Sequence, residues 1–287
     1  MKIKVITSYK PGTWNQFAKR AVESVLEHWP ENTSVTVYHE TQTQDLFEHP
    51  RLDWVDIHEA QPELVKFKNK YKDDPVANGE IDEIPNGVRR PGPMPSKGSF
   101  QWNAVRFANK VFCVTHSLKN SPGYDYVVWL DADTYSFRPM PSSFLEKLLP
   151  GESMLTYLGR GDEDPECGFV GYNLKHTDIQ KLIDEWEDLY INDKIFKITS
   201  GWTDCSSLIH LSREYQKHKS VKVHDIGHAS GVKGHHVFIN SLLGLYMDHF
   251  KGKRKQSGTS WSKDLSPQSR SEIKGIAQLD YWKQIKN

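Results

Sequence analysis

Two aspartates separated by one alanine, Asp131-Ala132-Asp133, close the most apolar run in the chain, Tyr124-Asp-Tyr-Val-Val-Trp-Leu130. Alternate residues of an extended segment point the same way, so both carboxylates can address one cation. Ligands of open α/β sheets gather beyond the carboxyl ends of the strands, which is where this pair falls. Oxygen ligands beside a phosphate-bearing substrate suit Mg²⁺ or Mn²⁺, and Ala132 leaves room for close packing. The spacing recurs in Asp162-Glu163-Asp164, among glycine and proline with no strand signal before it. That copy is expected to be a solvated loop.

Far along the chain, His249-Phe-Lys-Gly252-Lys-Arg-Lys255 has the spacing His-x-x-Gly-x-x-Lys. An imidazole completes the coordination of a carboxylate-bound Mn²⁺, a glycine lets backbone approach a ligand, and trailing cations neutralise a diphosphate. Taken alone, the motif reads equally as a surface histidine before a basic tail. His224, His228, His235 and His236 match neither HExxH nor a Cys/His finger. They are expected on a loop over an acceptor cleft, or simply on the surface. Cys113, Cys167 and Cys205 are widely separated and outside CxxC spacing, so neither a disulfide framework nor a Cys-built zinc site is expected within the chain.

The elements that position these groups follow from periodicity. Ile3, Val5 and Ile6 mark a strand ended by Thr7-Ser8-Tyr9 and Pro11-Gly12, and Phe17, Ala21, Val25 and Trp29 mark a helix stopped by Pro30. Ser34-Val-Thr-Val-Tyr38 alternates as a second strand. Strand, helix, strand opens a βαβ unit and a parallel sheet. Breakers crowd residues 73–99, giving a long loop. Helical spacing returns from Phe100 to Cys113 and the apolar strand to Leu130 follows. Beyond it, Cys167-Gly-Phe-Val-Gly-Tyr-Asn173 reads as a short strand and Asp178 to Tyr190 as a helix.

The 287 residues include 37 Lys plus Arg against 37 Asp plus Glu, and this zero balance argues against gripping nucleic acid by overall charge. From Lys251 onward nine basic residues face only Asp264, Glu272 and Asp280, so the tail is basic. No apolar run approaches the roughly 20 residues that span a bilayer. The first residues lack the apolar stretch of a signal peptide. A cytoplasmic globular protein is expected.

Together, the βαβ start, the apolar strand into Leu130-Asp-Ala-Asp-Thr134 and the distal His-x-x-Gly-x-x-Lys resemble the GT-A fold of nucleotide-sugar glycosyltransferases. The resemblance is nearest to the retaining family 8 branch and covers residues 1 to about 255. It implies a Rossmann-like α/β fold, with a mostly parallel sheet flanked by helices, in a single domain with a basic C-terminal extension. Residues 1–135 would form the nucleotide-sugar-binding half, 136–255 the acceptor side and 256–287 the tail. The chain is also similar to short proteins encoded by bacteriophages.

By this resemblance Asp131, Asp133 and His249 would hold Mn²⁺ or Mg²⁺. Lys255, with Gly252 before it, would hold the donor diphosphate, helped by Lys251, Lys253 or Arg254. Thr7, Ser8 and Tyr9 would receive the nucleotide, though an aromatic at a strand end is as often core. Arg106, the first choice, and Lys110 lie on the helix where the family places a cation for donor sugar and phosphate. Ala132 and Gly168 would line the donor pocket, Gly168 within the stretch in the place of the family's NAG-x-x-x-N strand, where Cys167 replaces the asparagine. Asp204 would stand near the anomeric carbon as the catalytic carboxylate. There it would position the sugar or stabilise an oxocarbenium-like transition state, or in an inverting enzyme act as general base. It reads equally as an ordinary capping residue. Gln256-Ser257 replaces the family's usual Pro-Trp.

The expected reaction is metal-dependent transfer of a sugar from a nucleotide sugar, UDP-linked and with retention, to a hydroxyl acceptor. Acceptor candidates are a glycan or lipopolysaccharide, or hydroxymethylated DNA bases. Two other readings remain open. A sugar-phosphate nucleotidyltransferase would want a Gly-rich loop after the first strand, where Thr7-Ser-Tyr-Lys-Pro-Gly12 has one glycine. A non-catalytic carbohydrate- or nucleic-acid-binding protein would not need the intact carboxylates and His249.

Overall fold

The computed structural model describes residues 1–40, 46–80, 100–161, 163–198, 200–219, 221–227, 236–266 and 276–285. The chain runs through β1 (Ile3–Ser8), α1 (Lys19–His28), β2 (Thr33–His39), β3 (Leu52–Asp56), α2 (Ile57–Ala60) and α3 (Pro62–Tyr71). After α4 (Ala104–Lys119) come β4 (Tyr126–Leu130), β5 (Thr134–Ser136), α5 (Ser142–Leu148), β6 (Leu155–Arg160) and β7 (Glu163–Asn173). The last part holds α6 (Ile179–Ile191), α7 (Asp204–Lys219), β8 (Val223–Asp225), β9 (Met247–His249), α8 (Arg254–Ser257) and α9 (Asp280–Gln284).

One seven-stranded sheet has the order β3-β2-β1-β4-β7-β6-β8. β3, β2, β1 and β4 run parallel, β7 is antiparallel to β4 and β6, and β8 is parallel to β6. This is the mostly parallel, helix-flanked α/β fold expected. All five residues of β4 are buried, as a strand covered on both faces requires. Helix α4 starts where the Asn103 side chain accepts from the Arg106 amide at 2.8 Å, satisfying an otherwise unpaired donor of the first turn. One apolar core packs α3, α4, α6 and α7 on one face of the sheet, with Val111, Phe112, Leu182 and Trp186 at its centre. The other face carries α1 and α5, with Val22, Val25, Leu145 and Leu148.

Three expectations are corrected. The short strand drawn at 167–173 begins at Glu163. Glu163 and Asp164, expected in a solvated loop, open β7: Glu163 pairs opposite Arg160 with its side chain still exposed, and Asp164 accepts from the Ser206 hydroxyl. A strand does precede them, because β6 turns back on itself into β7; Asp162 lies outside the described residues. Position 255 also marks no change in packing. Leu265, Ile276, Trp282 and Ile285 join the same core as Ile3 and Val25, and the Trp282 indole donates to the Gly244 carbonyl at 2.7 Å. The apolar residues of the last segment, diluted among its cations, are what seat it.

Of the 73–99 loop, residues 81–99 lie outside the described part, as do His228 and His235. Among the described residues no helix is long and apolar enough to cross a membrane.

Candidate active site

A second, two-stranded sheet assembles the site. β5 pairs antiparallel with β9, setting Thr134 opposite His249, and the Phe250 amide donates to the Asp133 carbonyl at 2.8 Å. His249 thereby meets the Asp-x-Asp segment from 116 residues away: its Nε2 lies 3.1 Å from Asp133 Oδ1 and 3.7 Å from Asp131 Oδ2. One ligand atom from each of the three residues lies within 4.8 Å of the others. The donor set, two carboxylate oxygens and an imidazole nitrogen, suits Mn²⁺ or Mg²⁺, and Asp131, at 32% side-chain exposure, opens it to solvent while His249 is sealed at 2%. The residues therefore fit the cation.

Gly168 is what lets the imidazole in. A Cβ there would lie 2.6 Å from His249 Cε1, closer than packed carbons come. Its carbonyl accepts from the Asp131 amide at 3.0 Å, tying β7 to the metal segment. Gly252 has φ +57°, turning the chain sharply after β9. That turn carries Lys255 back so that its Nζ lies 2.8 Å from Asp133 Oδ2. Ala132 is buried beside the cluster.

Lys110 is the second centre of the site. Its Nζ sits 3.0 Å from Asp131 Oδ1 and 2.8 Å from Asp204 Oδ2, and donates to the Cys167 carbonyl at 2.7 Å. The Trp129 indole also donates to Asp131 Oδ1, at 2.7 Å. Burial works against the Lys110 ammonium, yet Asp131 and Asp204 outweigh it and hold its pKa well above the ordinary lysine value. Burial likewise opposes the Asp133 carboxylate, but His249 and Lys255 hold it well below the usual range. His249 is pushed up: burial disfavours the imidazolium, and Asp133 and Asp131 overcome this. Arg106 lies one turn earlier on α4, exposed against the Phe107 ring. Of the two cations offered by that helix, Lys110 is the one brought to the carboxylates.

Of the other candidates, Thr7 stays near the cluster, lining a cavity with Asp131 and Thr134. Thr7 is buried with its hydroxyl unpartnered, and Ser8 ends β1 half-buried. Tyr9 takes the core alternative, its ring 5.1 Å from Trp14, which in turn lies 5.1 Å from Trp54. His224 belongs to β8. His236 is buried beneath the metal cluster, its Nε2 2.7 Å from the His249 carbonyl; burial and the neighbouring His249 push its pKa down to about 3. It is a core histidine rather than part of a loop over a cleft.

Sequence reading missed Glu166. Its carboxylate, 4% exposed, lies 3.5 Å from His249 Nδ1 and pairs with Lys251. A metal-binding histidine commonly presents its far nitrogen to such a carboxylate, which fixes the ring. The signal was available, because Glu166 and Gly168 share one face of a strand whose start, expected at Cys167, lies four residues earlier at Glu163. Asp248 was missed too: fully buried, it accepts from the His249 amide at 2.6 Å, the Ser260 amide at 2.8 Å and the Tyr281 hydroxyl at 2.8 Å. The thiols need correction as well. Cys167 and Cys205, far apart in sequence and expected to build no metal site, come together beside Asp204.

No family model matches the chain, and comparison with curated proteins finds none that matches. Among solved structures, it is similar to mouse xyloside xylosyltransferase 1 in its apo form, at 10% identity and a TM-score of 0.45, over 98% of this chain and 93% of that one. It is also similar to a glycosyltransferase involved in glycosylating the major capsid of PBCV-1, at 11% identity and a TM-score of 0.48, over 90% of this chain and 100% of that one. At these values neither likeness assigns an activity to this chain.

Proposed function

We propose that the chain is a metal-dependent glycosyltransferase that moves a sugar from a nucleotide diphosphate donor, UDP-linked, with retention at the anomeric carbon. The observation that carries this reading is the convergence of Asp131, Asp133 and His249, within 4.8 Å of one another, at the carboxyl end of the central strand. Asp131, Asp133 and His249 would hold Mn²⁺ or Mg²⁺, which when bound supplies Lewis-acid stabilisation to a departing diphosphate.

The chain's own residues do the rest. Lys255, already drawn to the cluster by Asp133, is placed to share its charge with the phosphates. Lys110 holds the Asp204 carboxylate in place, 2.8 Å from its Nζ. A fixed, desolvated carboxylate is suited to stabilise positive charge developing on a sugar ring. The oxygen and imidazole ligands, with no Gly-rich loop after β1, favour this reading over a nucleotidyltransferase.

The acceptor we favour is a carbohydrate hydroxyl. Among the described cations of the basic segment, the three nearest the site are engaged within the chain: Lys251 with Glu166, Arg254 with Asp264 and Lys255 with Asp133. Hydroxymethylated DNA is the second acceptor to try.

The test is nucleotide release from a panel of nucleotide sugars with Mn²⁺, using simple sugars and hydroxymethylated DNA as acceptors, followed by the anomeric configuration of the product. Metal-dependent release of UDP by wild type, lost in Asp133→Ala, is expected. Equal release by a folded Asp133→Ala variant would sink the proposal.

A further inference from the structure

Across Lys110 from the oxygen-rich cluster lies a group of different chemistry. Cys167 comes from β7, and Asp204 and Cys205 from the first turn of α7. One ligand atom from each, two sulfurs and a carboxylate oxygen, lies within 4.8 Å of the others. The Cys205 thiol interacts with that of Cys167 and lies 3.7 Å from Asp204 Oδ2. Cys167 and Asp204 are buried while Cys205 is partly exposed, so the group meets solvent at Cys205. The third thiol, Cys113, is buried in α4.

Two sulfurs and one carboxylate with an open fourth position form a donor set for Zn²⁺, not for Mg²⁺ or Mn²⁺. In a tetrahedron with Zn–S of about 2.3 Å the sulfurs stand about 3.8 Å apart. A group spread over no more than 4.8 Å is therefore within about 1 Å of that geometry. Charge also balances. Two thiolates and a carboxylate around a dication leave one negative charge, and Lys110, 2.8 Å from Asp204, supplies one positive. The thiol protons are released to solvent as the ion binds.

We propose that Cys167, Cys205 and Asp204 form a second, thiol-built divalent site that takes Zn²⁺ and, when occupied, withdraws Asp204 from sugar transfer. Its binding half stands on the geometry alone; its inhibitory half rests on the role proposed for Asp204.

The test uses Co²⁺ as a spectroscopic stand-in for Zn²⁺ on the reduced full-length protein, with excess Mg²⁺ to occupy the oxygen-rich cluster. Wild type and Asp133→Ala are expected to develop a thiolate-to-cobalt charge-transfer band saturating near one equivalent, and Zn²⁺ should bleach it. Cys113→Ser should keep the band, and folded Cys167→Ser and Cys205→Ser, checked by melting, should lose it. No band in wild type, or a band that survives both of those serine variants, overturns the proposal. Zn²⁺ should also inhibit donor turnover in wild type at least tenfold more strongly than in Cys205→Ser. Equal inhibition of both would overturn the inhibitory half. A cobalt band with the expected variant pattern, in a protein that turns over no nucleotide sugar, would uphold the thiol site while removing the transferase reading.

Discussion

Two clusters flank one ammonium group. On one side Asp131, Asp133 and His249 offer oxygen and imidazole nitrogen and open to solvent through Asp131; on the other Cys167, Asp204 and Cys205 offer mainly sulfur, with Asp204 sealed at 4% exposure. Lys110 binds one carboxylate of each, at 3.0 and 2.8 Å. The difference shows how one buried cation serves two ends. It holds Oδ1 of Asp131 while His249 faces Oδ2 of the same carboxylate, and it fixes Asp204 on its other side. Each cluster therefore shares this one partner.

The comparison breaks most completely at Asp133. Asp133→Ala should cut metal-dependent turnover by more than about 100-fold, the upper end of what changes behind a metal ligand cost, with the fold intact by circular dichroism. Steady-state rates across a Mn²⁺ titration would check this.

Removing the shared partner should instead strike stability. Lys110→Met strands the buried Asp204 carboxylate and removes a partner of the half-exposed Asp131, a loss of roughly 3 kcal/mol or more. For a chain of this size that is a drop in melting temperature on the order of 10 °C. Lys110→Arg should recover part of it, and an unchanged melting temperature for Lys110→Met would contradict the pairing.

Substitutions behind His249 sharpen the contrast, because they should touch the oxygen-rich cluster alone. Glu166→Gln should weaken Mn²⁺ binding by about 10–100-fold, measured by calorimetry. Gly168→Ala, whose Cβ would meet His249 Cε1 at 2.6 Å, should do the same with no charge change. The cobalt band proposed for the thiol cluster should survive Glu166→Gln.

The smallest effect concerns His236. Its native pKa near 3 lies below the unfolded value of about 6.5, so the unfolded chain binds the extra proton between them. Stability from neutral His236 is complete above about pH 6.5 and is lost as pH falls toward 3. His236→Gln should flatten that part of the melting-temperature profile by a few degrees, and an unchanged acid slope would contradict its burial as a neutral ring.

Much of this was legible in the residues. The run into Leu130 declared a buried strand, and the two acids after it fell at the sheet's carboxyl end, as parallel topology demands. His249 was legible by its spacing, although nothing local in sequence says that β9 pairs with β5. β3 was overlooked because Leu52-Asp-Trp-Val-Asp56 has one β-branched residue and breaks strict alternation at Trp54-Val55, and pairing with β2 makes it a strand. The thiol cluster was hidden for a similar reason: Cys167 and Cys205 have no motif spacing, and a strand packed on a helix N-terminus brings them together. Tyr9 illustrates the reverse case, an aromatic at a strand end that the core claimed.

The central claim is that Asp131, Asp133 and His249 hold a divalent cation against a nucleotide sugar. Its most direct test is the melting temperature of wild type and Asp133→Ala with Mn²⁺, with nucleotide sugars, and with both, since a ligand that binds only the folded state raises it by mass action. The account predicts that one UDP-sugar raises the melting temperature of wild type only when Mn²⁺ is present, and that Asp133→Ala loses the shift. An equal shift in both proteins, or none with any nucleotide sugar, would contradict it.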